Sequence, residues 1–292
     1  YLVHLYEERG LKFIGQLNGW FSGLLVDLRQ EKIILFNDRY GLGRIYYCER
    51  GDGLYFSSEA KSLLKVLPDL RRLDPKGLAE TFSFGCVLQN RTLFAGISLL
   101  PGGSLWVFPK NAPVNKEKYF DPRSLEKQPI LPGAEYYEKL KDTFARILPR
   151  YFRGRQQVGM SLTGGLDGRL IMAWLRRRPE DLPCYTFGGS YRDCIDVRIA
   201  RQIAGLCGRS HRTIDVGSAF IHEFPELARR AVYISDGAMD VTGAVELYVN
   251  RIASGIAPIR MTGNYGSEIL RGNVAFRPGR LDGRLMQPEF NE

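Results

Sequence analysis

Two hydrophobic rhythms divide the chain. In the first half, Leu24, Val26 and Leu28 recur at every second position, Ile33 to Phe36 form an unbroken apolar run, and Gly51-Asp52-Gly53 separates two aromatic-rich segments. Such alternation, punctuated by turn residues, predicts an antiparallel β unit over residues 11 to 60. Ahead of it, Leu2, Leu5 and Tyr6 fall on one face of a helix over Tyr1 to Gly10. From residue 158 the rhythm changes. Apolar strands at Val158 to Leu162, Cys184 to Phe187, Arg212 to Val216 and Ile259 to Thr262 alternate with helical segments, among them Asp196 to Cys207, which Gly208 ends. Strand and helix in alternation predict a parallel α/β sheet. The fold class expected is therefore α+β followed by α/β. The domains read as residues 1–120, a proline-bearing linker over 121–133 (Pro122, Pro129, Pro132), and 134–292, each large enough for its own core.

In an open parallel sheet the ligand lies outside the carboxyl ends of the strands. Three glycine-bearing loops fall there: Thr163 to Arg169, Gly188-Gly189, and Gly263 to Glu268. The first is the most informative. Ser161-Leu162-Thr163-Gly164-Gly165-Leu166-Asp167-Gly168-Arg169 joins a strand to a helix in which Leu170, Ile171, Trp174 and Leu175 recur at helical spacing, with Arg176, Arg177 and Arg178 in its last turn. Two glycines let the backbone turn sharply and bring N–H groups to a ligand, and the helix start adds further donors and a positive dipole end. Taken alone, Gly164-Gly165 is most simply a tight strand-to-helix turn. Thr163 adds a hydroxyl, however, and Asp167 beside an anion makes sense when Mg²⁺ lies between them, because a carboxylate is a hard oxygen ligand. The loop thus points to a Mg²⁺-nucleotide, and not of the Walker type, since Gly-Lys-Ser/Thr occurs nowhere in the chain.

This loop resembles the pyrophosphate loop, Ser-Gly-Gly-x-Asp-Ser, of the ATP pyrophosphatases, with Gly168 where serine is usual. Three further stretches resemble the asparagine synthetase family. Asn37-Asp38-Arg39-Tyr40-Gly41-Leu42-Gly43-Arg44-Ile45-Tyr46-Tyr47 and Leu54-Tyr55-Phe56-Ser57-Ser58-Glu59-Ala60-Lys61-Ser62-Leu63-Leu64 are similar to segments that close its glutamine-hydrolysing domain. Arg91 to Ile97, Leu100 to Gly103 and Tyr119 to Asp121 resemble its bridge to the synthetase domain, and Thr262 to Gly272 its Ser-Gly-Glu-Gly-Ser-Asp-Glu loop.

The resemblance implies a partial N-terminal-nucleophile-type β domain before an adenine nucleotide α-hydrolase-like domain. It further implies ATP and Mg²⁺ as cofactors, glutamine or ammonia as nitrogen source, and aspartate or another carboxylate as acceptor, in a ligase that forms AMP. Leu162, Thr163, Gly164, Gly165, Gly168, Arg169, Phe187, Gly188, Thr262 and Gly263 would bind nucleotide. Asp167 and Glu268 would bind the metal, and Asp236 and Asp240 lie where the family's loop faces the acceptor, although a turn with a capping Asp or Thr242 explains them equally. No catalytic residue is assigned. Asn264 stands at the family's amide-forming glutamate and Ser267 at a metal-binding aspartate; an amide is no general base and a hydroxyl is a weaker Mg²⁺ ligand. The glutaminase cysteine expected at the very start of such proteins is not in the chain, which begins at Tyr1 and is expected to lack its start and its last helices. Two alternatives stay open: a different acceptor, as in ring closure or sugar and peptide modification, and a degenerate nucleotide-binding protein without activity.

Composition narrows the partners. A 44% hydrophobic content suffices for packed cores, and the longest apolar runs fall well short of the roughly 20 residues of a membrane span. Five cysteines without Cys-x-x-Cys suit reduced thiols and a cytoplasmic setting; Cys48 and Cys86 read as packing residues. The net charge of +9 is scattered, with short clusters such as Arg71-Arg72 and Arg229-Arg230 but no nucleic-acid-binding motif, so neither nucleic acid nor membrane is expected as partner. His4, His211 and His222 are too far apart in sequence to suggest zinc. A homodimer is one assembly the resemblance allows.

Overall fold

The computed structural model describes residues 1–51, 53–175, 181–190, 193–264 and 266, and two compact units part between Pro129 and Ile130. The first unit opens with α1 (Leu2–Arg9), and Gly10 at φ 56° turns the chain into a 3-10 stretch, Gly10–Gln16. β1 (Ser22–Asp27), β2 (Lys32–Asn37), β3 (Tyr46–Arg50), β4 (Gly53–Ser57), α2 (Ala60–Val66), α3 (Pro75–Phe84), β5 (Ser98–Leu99), β6 (Ser104–Pro109), β7 (Asn115–Lys118) and the short α4 (Arg123–Glu126) follow. They form two antiparallel sheets, β1-β2-β6-β7 and β4-β3-β5.

Strand parity stacks these sheets. Ile34, Phe36 and Leu105 face Phe13 and Ile14, while Leu35 and Trp106, on the opposite side of the same strands, share a core with Ile45, Tyr47 and Leu54. The other side of the second sheet, through Tyr46 and Cys48, packs on Ala60 and Leu63 of α2. The layers therefore run helix, sheet, sheet, helix.

Two expectations change here. Residues 11–16 are not strand, because Phe13 and Ile14 are both fully buried; neighbours in a strand would point to opposite faces, whereas a tight helical turn inserts both. Leu24 and Val26 do alternate, but on the exposed side, at 48% and 54% exposure, with Gly23 and Leu25 turned inward. A Cβ at Gly23 would lie 2.6 Å from the Phe36 ring, so the inward position opposite that ring takes glycine.

The second unit carries α5 (Gly133–Ile147), a 3-10 stretch Leu148–Phe152, β8 (Val158–Ser161), α6 (Leu166–Leu175), β9 (Cys184–Gly188), α7 (Ile195–Leu206), β10 (His211–Asp215), α8 (Ser218–Ile234), α9 (Gly243–Ser254) and β11 (Ile259–Met261). The four strands are parallel in the order β10-β9-β8-β11. Both faces are covered, as a parallel sheet requires: Cys184 enters one core with Met172, Leu175 and Ala200, and Tyr185 the other with Ala228, Tyr248 and Val249. The chain steps outward from β8 to β9 and β10, then returns to place β11 on the other side of β8. That reversal is a topological switch point, and a crevice opens at the strand ends beside it. No described helix is long and apolar enough to cross a membrane.

Candidate functional site

Two loops border the switch point, one after β8 and one after β11, and they touch. A Cβ built on Gly263 would lie 2.8 Å from both Asp167 Cβ and Gly168 N; one on Gly266 would lie 2.8 Å from Asp167 Cγ. Both positions admit only glycine, because the second loop runs directly over the first turn of α6. Asp167 is thereby held, half-buried, between the loops.

The first loop is fastened from below and from the side. Leu162 is fully buried; its N–H donates to Tyr185 O at 2.9 Å, and its carbonyl accepts from Thr186 Oγ1 at 2.6 Å. Thr186 Oγ1 also lies 3.0 Å from His211 Nε2. Since the threonine proton is committed to Leu162, the histidine donates. Burial, reinforced by the Arg201 charge, lowers the His211 pKa below its ordinary value. From the side, Asp196 Oδ1 in the first turn of α7 accepts the Gly164 N–H at 2.9 Å, and Gly165 N–H donates to Thr163 Oγ1 at 3.3 Å. A Cβ on Gly164 would meet Asp196 Oδ1 at 2.9 Å and Ile199 Cδ1 at 3.1 Å, so glycine is needed there for this close approach.

Gly188, at the end of β9, packs on α7 in the same way, with Val197 Cγ2 2.9 Å from where its Cβ would be. Phe187 is half-buried against the core of the second face. Thr163 and Arg169 are exposed, whereas Gly168 is buried. Thr262 Oγ1 accepts the N–H of the exposed Asn264 at 3.4 Å. Ser267 and Glu268 lie outside the described residues. Asp240 Oδ1 accepts from Thr242 N at 2.8 Å and from Thr242 Oγ1 at 2.5 Å, which lowers its pKa; Asp236 sits at φ 53° in the preceding turn, at the end of α8. Neither lines the cavity described next.

Below the loops a cleft of about 610 Å³ extends between the helices and the sheet. Asp167, Thr262, Gly263, Asn264 and Gly266 border it at the strand ends; α5, the 3-10 stretch after it, and α6 supply apolar walls. Arg260 lines it too, with its guanidinium bound to Glu246 and Asn250 of α9 at 2.8 Å each and to Ser161 Oγ at 3.2 Å. Sequence reasoning missed Asp196, Thr186, His211 and Arg260 as site supports. Only Asp196 carried a local signal, an acidic residue in a helix's first turn; the others depend on strand order.

The donors suit a polyphosphate in kind: the Gly164 and Gly165 amides, which here donate to Asp196 and Thr163, a threonine hydroxyl and a helix start. Mg²⁺ commonly takes one or two protein carboxylates and completes its shell with phosphates and water, so Asp167 alone fits as a ligand. No group of three or more acidic, histidine or cysteine side chains suited to a metal occurs among the described residues. Cys184 is unsuited to nucleophilic work, since burial pushes its thiol up to about 12.

A model of the asparagine synthase family matches residues 139–287, just over half of the chain, and one of the glutamine amidotransferase domain matches residues 1–120. The chain is 22% identical over 280 residues to the glutamine-hydrolysing asparagine synthetase 1 of Bacillus subtilis, covering 94% of this chain and 42% of that protein. It is 29% identical over 199 residues to asparagine synthetase 2 of the same organism, covering 63% and 26%, and 26% identical over 226 residues to the human glutamine-hydrolysing asparagine synthetase, covering 72% and 37%. It thus spans well under half the length of these relatives. Among solved structures, a glutamine-dependent NAD⁺ synthetase from Acinetobacter baumannii aligns over 91% of this chain and 65% of that one at 16% identity, with a TM-score of 0.33, too slight a likeness to carry an argument.

Proposed function

Because the chain belongs to the asparagine synthase family, we propose that the whole protein is an ATP-dependent carbon–nitrogen ligase that adenylates an acceptor carboxylate and amidates it with ammonia taken from glutamine. The observation that supports this most is the joining of the two loops over Asp167 at the switch point. A carboxylate is a poor electrophile at neutral pH. Its oxygen attacks the α-phosphorus of ATP, the bond to the β-phosphate oxygen breaks, and pyrophosphate leaves; ammonia then attacks the acyl carbon, AMP departs, and a proton goes to solvent. When bound, Mg²⁺ offsets the phosphate charge.

Each protein group has a part in this reading. Thr163, Gly164, Gly165 and the start of α6 hold pyrophosphate, with Gly164 N–H exchanging Asp196 for a phosphate oxygen. Asp167 is the metal ligand, and Gly188, Thr262 and Gly263 border the nucleoside. Asn264 hydrogen-bonds at the acyl centre without taking a proton. Aspartate is the acceptor that the relatives' names suggest. Asn264 and Ser267, standing where the family has carboxylates, favour a second reading in which the acceptor differs. The four-layer first unit fits an N-terminal-nucleophile-type glutaminase, and free thiols at Cys48, Cys86, Cys184, Cys194 and Cys207 fit a reducing cytoplasm. A homodimer belongs to the same proposal.

Pyrophosphate release from MgATP by the full-length protein, with ammonium and a panel of carboxylates, tests it. Carboxylate-dependent release that Asp167→Ala abolishes is expected. Release that proceeds unchanged in Asp167→Ala removes the role given to the loops.

A further inference from the structure

We propose that the acceptor is a carboxylic acid with an apolar body, seated in the cleft beneath the two loops; the inference rests on the ligase reading and specifies its substrate class. The cleft's position carries it. β8 and β11 run parallel with Ile259 opposite Val158, and both residues line the cleft at the strand starts, while Thr262 to Asn264 border it at the strand ends. Three residues of β rise separate Ile259 from Thr262, so the cleft follows the sheet for about 10 Å away from the loops.

Along that length its chemistry changes. The loop end offers the Asn264 amide and the Thr262 backbone beside Asp167, groups able to orient a carboxylate next to the α-phosphate. The remainder is walled by Phe144, Ile147, Tyr151 and Ile171. Among the described lining residues Arg260 is the one cation, and Glu246 offsets its charge from α9. An aspartate side chain placed along these walls would find no cation among the described lining residues that is not already paired, and so would gain little. An alkyl or aryl tail gains instead by leaving water. At about 610 Å³ the cleft has the size of an ordinary small-molecule site.

The reaction stays balanced with such an acid: its carboxylate oxygen bonds to the α-phosphorus as pyrophosphate leaves, and ammonia later displaces AMP from the acyl carbon. The test uses the full-length protein with hexanoate, heptanoate, octanoate, 4-phenylbutanoate and aspartate. Binding is read by equilibrium dialysis with and without MgATP, and turnover by pyrophosphate release. Affinity is expected to rise about fourfold per methylene along the alkanoates, the factor equivalent to about 0.8 kcal/mol for each buried CH₂.

Ile147→Trp fills the apolar part at a site 37% exposed, and Tyr151→Glu puts a charge at one 62% exposed, neither of them a buried core position. Each is expected to abolish the methylene dependence while MgATP binds as before. Aspartate outperforming every apolar acid, or a methylene series unmoved by both variants, overturns the inference and leaves the ligase reading intact. Failure of MgATP to bind at all overturns the ligase reading and the acceptor role with it.

Discussion

Replacing Gly263 with alanine tests whether contact between the two loops makes the nucleotide site. The added methyl would lie 2.8 Å from Asp167 Cβ, 2.8 Å from Gly168 N and 2.9 Å from Asp167 C. Carbon contacts settle at about 3.5–4.0 Å, so the loops must part by roughly 0.7–1.2 Å. None of the obstructing atoms is the end of a flexible side chain; two are backbone atoms of α6, which the core residues Met172 and Leu175 anchor. Overpacking of this kind costs about 1–3 kcal/mol. The larger effect falls on function, since misplacing groups by about 1 Å can reduce a rate on the order of 100-fold. Thermal melting and equilibrium dialysis of MgATP separate the two effects. Gly189→Ala and Gly205→Ala, where a methyl meets nothing within 4 Å, serve as controls. A Gly263→Ala protein that melts with the wild type and binds MgATP equally would refute the reasoning.

Further consequences follow from the supports of the first loop and from the first unit. Asp196→Asn keeps an acceptor for Gly164 N–H but removes a negative charge beside the phosphate position; at about 5 Å in water that repulsion is near 1 kcal/mol, so tripolyphosphate should bind roughly fivefold more tightly at low salt, and unchanged binding would argue against an anion site there. Thr186→Val strands the Leu162 carbonyl and His211 Nε2, an expected loss of about 1–3 kcal/mol in urea unfolding. The lowered His211 pKa means that the unfolded chain takes the proton first, so stability is full above about pH 6.5 and declines as pH falls below it; His211→Gln should flatten that decline. Glu80 is pushed up by burial but pulled further down by Arg91, the Leu88 N–H and Lys76, so its net pKa is lowered. Its contribution is present above about pH 4.3 and lost as pH falls through the depressed value; Glu80→Gln should cost about 1–3 kcal/mol at pH 7 and soften the acid limb of a urea-midpoint profile. Gly168→Ser should be tolerated, because its Cβ would lie 3.4 Å from Leu162 Cδ1 and 3.6 Å from Met160 Cε. Helix propensity alone favours serine by about 0.5 kcal/mol, and a higher melting temperature together with tighter pyrophosphate binding is expected.

What could be read from the sequence is what depends on local period. The strands at Val158, Cys184, His211 and Ile259 and the helix expected over Asp196 to Cys207 have residues whose burial repeats within one element, and the structure finds each within a residue or two of its expected ends; Arg176 to Arg178, expected in the last turn of α6, lie outside the described residues. Faces were legible where both sides of a strand are covered, as in β9. They were not legible in β1, where apolar Leu24 and Val26 stand on the exposed side and the inward position opposite Phe36 is a glycine. Hydrophobicity reports that a strand is half-buried; it does not report how far the next sheet extends over it. The 3-10 stretch through Phe13 and Ile14 failed for the same reason, since the need to bury two neighbours comes from the sheet above them.

The site was legible to the extent that backbone chemistry dictates residue type. Gly164, Gly263 and Gly266 are required by close approaches of 2.8–2.9 Å, and a glycine enforced by sterics is visible in a sequence before its neighbour is known. The neighbours were not visible. Asp196 lies 32 residues beyond the amide it accepts from, and Arg260 reaches Ser161 across 99 residues. The first distance closes because β9 lies beside β8 and the second because β11 returns to the other side of β8, and nothing in either loop encodes that order. Gly168 differs from the other three in having room for a side chain. Sterics do not explain its departure from the serine of similar loops, and pyrophosphate binding in Gly168→Ser measures what a hydroxyl at this position adds.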